Sequence, residues 1–110
     1  MPDETLLIKA IANSLLDPIL KNEFYNDAED YINYEDPKNR QIPRSEAEIQ
    51  KIENLLKKEK DDILDEVTEK LQAEGFTSFE EISENAGQVR DMIGEEKGEY
   101  RRRLWNAIKS

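Results

Sequence analysis

The chain has 110 residues, of which 36% are hydrophobic and 38% charged, with a net charge of −10 and no histidine or cysteine. This length predicts one domain over residues 1–110. The missing residue types exclude disulfides, the usual nitrogen and sulfur metal ligands and the commonest general base, and the negative charge argues against general affinity for nucleic acid or anionic membranes.

No segment has the pattern of a signal peptide or of a membrane span. The chain begins Met-Pro-Asp-Glu, which lacks a basic region. No apolar run approaches the ~20 residues that cross a bilayer. We therefore expect a cytoplasmic protein without membrane contact.

The first predicted helix covers about residues 4–17 and begins the most hydrophobic stretch of the chain. The apolar side chains of this stretch spread over roughly 220° of a helical wheel; they are Leu7, Ile8, Ile11, Ala12, Leu15, Leu16, Ile19 and Leu20. Such a helix needs cover on two sides, so it is either the central core helix or part of a dimer interface. Pro18 is expected to break it, because proline removes the bond to Ser14 and crowds its carbonyl, or to open the next helix with Asp17 as its cap.

A second helix is predicted over about 18–35, and one of its sides is acidic. The candidates for an acidic binding surface are Asp27, Glu29, Asp30, Glu35 and Asp36. A calcium loop is excluded here because Tyr31 stands at a ligand position, no glycine occurs and the twelfth residue is Lys38. Three interpretations of these acids are open. They form a helix face that is only solvated, they form a docking surface for a basic partner, or they mimic nucleic-acid phosphates in an inhibitor.

After a loop over 36–44, the clearest element is one long helix over about 45–74. Ser45 and Glu48 form a capping box at its start, and Gly75 stands where a left-handed residue ends a helix. Apolar residues within an arc of about 120° indicate one buried face; they are Ile49, Ile52, Leu56, Ile63, Leu64, Val67 and Leu71.

The length of this helix and two of its residues raise further expectations. At ~1.5 Å per residue it is about 43 Å long, whereas a compact domain of this size has a diameter of about 35 Å. The sequence therefore predicts an elongated fold, a bent helix, or a second chain that covers the overhang.

Glu53 and Lys60 point into the apolar stripe. Lys60 either lays its stem on the core with its ammonium in water or belongs to a polar layer that sets register with a partner helix.

A short helix is predicted over about 78–85. Thr77 or Ser78 is its expected N-cap, and Glu80 or Glu81 completes the capping box. The side chains expected to pack inward are Phe76, Phe79 and Ile82.

A last helix is predicted over about 88–109, weakened by Gly94 and Gly98. Together with the preceding helix and the turn at Gly87, it has some features of a helix-turn-helix over residues 79–105. A plain helical hairpin explains the same pattern, and the flanking residues are acidic.

The C-terminal segment is basic in an otherwise acidic chain. From Lys97 to Ser110 there are five basic residues and one acid. The candidates for partner binding are Arg101, Arg102, Trp105 and Lys109. If the last helix is continuous, Trp105 points away from the buried stripe and beside these cations, as at an interaction hot spot. If Gly98 breaks the phase, one face holds Tyr100, Leu104, Trp105 and Ile108, and the tryptophan belongs to the core.

These elements predict an all-α protein, a small bundle of four to five helices around the helix at about 45–74. Without histidine, cysteine or a glycine-rich phosphate loop, we expect no enzymatic activity, cofactor or metal. The expected function is that of a small acidic regulatory or adaptor protein that binds another protein or forms homo-oligomers. The alternative is related to nucleic acid: a DNA-mimicking inhibitor that uses the acidic surface, or a weak helix-turn-helix binder that uses residues 79–105.

Overall fold

The computed structural model describes residues 4–109, which form helices joined by turns and one longer loop. The helices are α1 (Thr5–Leu20), a π-helical segment (Lys21–Tyr25), α2 (Asn26–Asn33), α3 (Glu46–Ala73), α4 (Phe79–Glu84), α5 (Ala86–Gly94) and α6 (Lys97–Lys109). The predicted all-α bundle around a long central helix is confirmed. Met1–Asp3 and Ser110, at the two ends of the predicted 1–110 domain, lie outside the described residues.

The expected break at Pro18 is wrong, because α1 continues through the proline to Leu20. Proline inside a helix costs about 3 kcal/mol. Burial of the following side chains offsets this cost. Leu20 and Phe24 are completely buried, and burial of each such side chain stabilises the fold by about 1.5–3 kcal/mol. α1, the π segment and α2 thus form one uninterrupted helical rod from residue 5 to 33.

The π segment keeps the apolar side of this rod facing the core. Completely buried residues recur at every fourth position, namely Ile8, Ala12, Leu16, Leu20, Phe24 and Ala28. In a regular α-helix, positions four apart drift by about 40° per step. The wider turn, in which the Asn26 N–H donates to the Lys21 carbonyl, corrects part of that drift, because a π turn holds an extra residue.

Both predicted ends of α3 are confirmed. The Glu48 backbone N–H donates to Ser45 Oγ at 3.2 Å. At the other end Gly75 has a φ of +96°, the Gly75 N–H donates to the Gln72 carbonyl and the Phe76 N–H to the Leu71 carbonyl. This pair of bonds is the Schellman arrangement that left-handed glycine permits.

The predicted buried stripe of α3 is largely confirmed. Its buried residues are Ile52, Leu56, Ile63, Leu64, Val67, Thr68 and Leu71, while Ile49 is half-buried. Glu53 is exposed rather than part of the stripe. Lys60 is half-buried, and its ammonium donates to the Asp17 carboxylate on α1.

α1 and α6 both run antiparallel to α3. Gln72 Nε2 donates to Thr5 Oγ1 at 3.1 Å, so the start of α1 lies at the end of α3, while the pair of Lys60 and Asp17 joins the end of α1 to the middle of α3. On the α6 side, Arg103 bonds Glu59 at 2.9 Å and Glu66 at 2.6 Å. α4, α5 and α6 also pack on α1, so α1 is covered on two sides as expected, although Leu6 remains 81% and Leu7 52% exposed.

The bundle is elongated, which was one of the three expectations for so long a helix. Its radius of gyration is 16.1 Å and its extents are 54 × 24 × 19 Å, whereas a compact chain of this length has a radius of gyration near 13 Å. Two long helical elements, the rod over residues 5–33 and α3, therefore give the molecule its elongated shape.

The predicted loop is an ordered hairpin-like excursion between α2 and α3. Tyr34 and Pro43 form an isolated antiparallel bridge. At the tip, the Asp36 carboxylate accepts from the Asn39 N–H and from the Arg40 guanidinium. The loop therefore returns to the end of α2 in a fixed position.

The predicted last helix at 88–109 is divided, which corrects the sequence-based boundary. α5 ends at Gly94, a turn covers residues 95 and 96, and α6 begins at Lys97. Gly94 and Gly98 both weaken a continuous helix by up to about 1 kcal/mol each. The division lets α5 bury Val89 and Ile93 while α6 buries a separate set, Tyr100, Leu104 and Ile108.

The short helix α4 begins at the expected cap, because the Glu81 N–H donates to Ser78 Oγ at 3.1 Å. Ile82 is buried and Phe76 half-buried, as predicted. Phe79 is 44% exposed, so its expected inward packing is wrong. It is the first residue of α4, where a side chain lies at the edge of the packed region.

Candidate functional site

A cleft of about 330 Å³ lies where the end of α2, the following loop and the end of α6 meet. Its lining residues are Asp27, Asp30, Tyr31, Pro37, Lys38, Trp105 and Lys109. We call it the α2–α6 cleft. It unites residues from both sets of predicted binding candidates, the acidic surface and the basic C-terminal segment, although Asp30 and Trp105 are 75 positions apart in the chain.

The wall of the cleft is aromatic. Trp105 contacts Phe24 edge to face, with ring centres 5.2 Å apart, and Tyr31 in the same manner at 5.7 Å. Such pairs contribute about 0.5–1.5 kcal/mol beyond their buried area. Phe24 is completely buried whereas Trp105 and Tyr31 are half-buried. Trp105 is therefore attached to the core on one side and borders the cleft on the other.

Cations lie over both of the exposed rings. The Lys109 ammonium is 4.7 Å from the Trp105 ring centre and 5.9 Å from that of Tyr31. The Arg101 guanidinium is 6.0 Å from Trp105, and that of Arg44 is 4.9 Å from Tyr31. All four distances fall within the range of a cation–π interaction.

The predicted basic residues have different positions. Lys109 and Trp105 line the cleft. Arg101 lies behind it, where it donates to Asp27 Oδ2 at 2.9 Å and to the Glu23 carbonyl of the π segment. Arg102 is exposed, does not line the cleft and pairs with Glu99 in the first turn of α6.

The predicted acidic residues are also divided. Asp27 and Asp30 line the cleft, but only Asp27 forms a salt bridge within residues 4–109. Asp36 holds the tip of the loop through Arg40 at 3.1 Å. Glu29 lines a different groove with Glu53, and Glu35 is exposed.

Four residues of the site were not singled out from the sequence: Tyr31, Pro37, Lys38 and Arg44. Arg44 is central to the arrangement, because it donates from Nε to the Tyr31 carbonyl at 2.9 Å and keeps only 15% of its side chain exposed. It thereby fixes both the loop and the Tyr31 backbone. Pro37 and Pro43 are the feature of the sequence that could have indicated this arrangement. Both restrict the backbone of the loop that brings Lys38 and Arg44 back to α2.

A larger and more open groove of about 490 Å³ lies between α1 and α3. Asn13 lines it, and the buried Asn13 Oδ1 has no hydrogen-bond partner within residues 4–109. Lys57 and Lys58 stand at its rim, and neither forms a salt bridge with a described residue. The groove has no aromatic wall, so it lacks the tryptophan and tyrosine side chains that often dominate the binding energy of protein interfaces.

Within residues 4–109, no group of three or more acidic side chains is arranged to hold a metal ion. No helix in this part of the chain is both long and apolar enough to cross a membrane. The segment 79–105, which was considered as a helix-turn-helix, has seven acidic and five basic residues, and within α4 and α5 Arg90 is the only cation beside Glu80, Glu81, Glu84 and Asp91. A surface of that sign repels phosphate groups.

Comparison with models of protein families, with curated proteins and with solved structures finds no match to this chain. Its function is therefore inferred from the residues described above.

Proposed function

We propose that this chain is a small acidic regulatory or adaptor protein, not an enzyme, and that it binds another protein at the α2–α6 cleft. The observation that carries the proposal is the position of Trp105. The only tryptophan of the chain is fixed by Phe24 and Tyr31, yet it borders an open cleft with charged groups of both signs at the rim.

The chemistry of the cleft supports binding rather than catalysis. Tryptophan, tyrosine and arginine are the residues that most often dominate the binding energy of protein interfaces, especially where they are held rigidly. A volume near 330 Å³ is at the small end of ligand pockets and suits one or two side chains of a partner. The charged rim, which includes Asp30 and Lys38, would fix the orientation of such a partner.

Mimicry of nucleic acid has less support, although it uses some of the same acids. A phosphate mimic needs a row of uncompensated carboxylates. Here Asp27 is paired with Arg101 and Asp36 with Arg40, so two of the five candidate acids are compensated by neighbouring cations.

The proposal is tested by comparing capture with two charge-reversal variants. Asp30→Lys changes the cleft, and Asp62→Lys is the matched control, because Asp62 is an exposed acid on α3 without a salt bridge to a described residue. Tagged native protein and both variants are exposed to an extract of the source organism, and the captured proteins are identified by mass spectrometry. We expect a partner that native protein and Asp62→Lys retain and Asp30→Lys loses. Equal capture by all three, or no specific capture, would remove the cleft as the binding site.

Light scattering after size exclusion determines whether the partner is a second copy. A dimer that Asp30→Lys dissociates, and Asp62→Lys does not, would identify self-association through the cleft. A monomer at all concentrations would assign the cleft to a different protein.

A further inference from the structure

We propose that the α2–α6 cleft recognises a positively charged side chain of its partner, and that Lys109 of the chain itself occupies that position until the partner binds. This inference rests on the proposed function and adds to it the chemistry of the ligand and a means of regulation.

The cleft already holds a cation. The Lys109 ammonium lies 4.7 Å from the Trp105 ring centre and 5.9 Å from the Tyr31 ring centre. Two rings that converge on one ammonium form a partial aromatic cage, which is the usual recognition site for lysine-like and quaternary cations. An incoming lysine or arginine would meet the same ring surfaces.

A carboxylate of the cleft is also available to pair with an incoming cation. Lys109 forms no salt bridge with any residue in the described part of the chain, although Asp27 and Asp30 line the same cleft. Arg101 engages Asp27, whereas Asp30 forms no salt bridge with a described residue. An ammonium or guanidinium that enters over the rings can therefore pair with Asp30. The net charge of −10 would attract basic segments towards the molecule.

Lys109 is held weakly enough to leave the cleft when a partner binds. It is exposed and is the final residue of α6, and the described structure holds its ammonium through ring contacts alone. A cation–π contact at an exposed site favours occupancy only by a factor of about two to five. Because such an occupant competes with the ligand, its removal should strengthen binding by about three- to sixfold.

The test uses short peptides that differ only in a central lysine or norleucine. Nitrogen-15 spectra follow the indole N–H of Trp105, which is unambiguous because the chain has one tryptophan. We expect the lysine peptide to shift this resonance in a saturable manner and the norleucine peptide to leave it unchanged. Lys109→Met should tighten lysine-peptide binding about three- to sixfold, and Asp30→Asn should weaken it.

Lys57→Met is the matched control, since Lys57 is another exposed lysine without a salt bridge to a described residue and lines the groove between α1 and α3. It removes the same charge from the chain and should leave peptide affinity unchanged. Equal binding of both peptides, or the same affinity for Lys109→Met and Lys57→Met, would overturn the inference. The lysine peptide could fail to bind while the capture experiment still distinguishes Asp30→Lys from Asp62→Lys. That result would support the proposed binding function and refute only the proposal that its ligand is a cationic side chain.

Discussion

Gly75 allows a sharp test of how the central helix ends. Its φ is +96°, and a Cβ added to it would meet no atom within 4 Å. Gly75→Ala therefore introduces no clash, and its cost is the backbone strain of an alanine in the left-handed region. That strain is about 1–2 kcal/mol. For a domain near 100 residues this lowers the melting temperature by roughly 4–8 °C per kcal/mol.

The matched control is Gly98→Ala in the first turn of α6, where a Cβ also has open space. Gly98 is helical, so alanine should raise the free energy of unfolding by up to about 1 kcal/mol. Urea unfolding followed by circular dichroism measures both changes. A neutral or stabilising Gly75→Ala would refute the left-handed end of α3, whatever the control shows.

Three further predictions concern the caps, the cleft and a buried phenol. Ser45→Ala removes the acceptor of the Glu48 N–H and should lower the free energy of unfolding by about 1 kcal/mol; an unchanged urea midpoint would contradict the cap. A double-mutant cycle with Tyr31→Leu and Trp105→Leu should give a coupling of about 0.5–1.5 kcal/mol, and additive effects would contradict the ring contact. Burial, assisted by Glu96 and Glu66, raises the pKa of Tyr100 from 10.0 to about 12. Because the folded-state pKa is the higher one, this stabilisation is complete below pH 10 and is lost as the pH rises through about 12. Unfolding measured across that range should show a smaller alkaline loss for Tyr100→Phe than for native protein.

Features of the fold that depend on residues close together in the sequence could be predicted. The cap at Ser45 and the left-handed turn at Gly75 each involve a few successive positions, so the residue types alone indicate them. The stripe of α3 is similarly local, because a helical period places its members on one side.

Features that depend on packing could not be predicted. The effect of Pro18 is decided by the burial of Leu20 and Phe24, which no local rule includes. Gly94 and Gly98 indicated that the last helix is weak, but they did not show that it is divided at residues 95 and 96, which are two glutamates.

The candidate site shows the same limit. Trp105, Lys109, Asp27 and Asp30 were all singled out by type and charge, but as two unrelated surfaces. Their meeting in one cleft depends on contacts between α2 and α6, and on Tyr31, whose role as an aromatic wall follows only from its distance to Trp105.

The π segment makes the cleft depend on the number of residues as well as on their identity. Each residue of an α-helix turns the chain by about 100°, so one residue more or fewer between Leu20 and Asn26 would rotate all of α2 about its own axis. Tyr31 would then leave Trp105 and Asp27 would leave Arg101, even with every side chain of the cleft conserved. The number of residues between Leu20 and Tyr31 is thus an angular constraint on the cleft, in addition to the identity of its side chains.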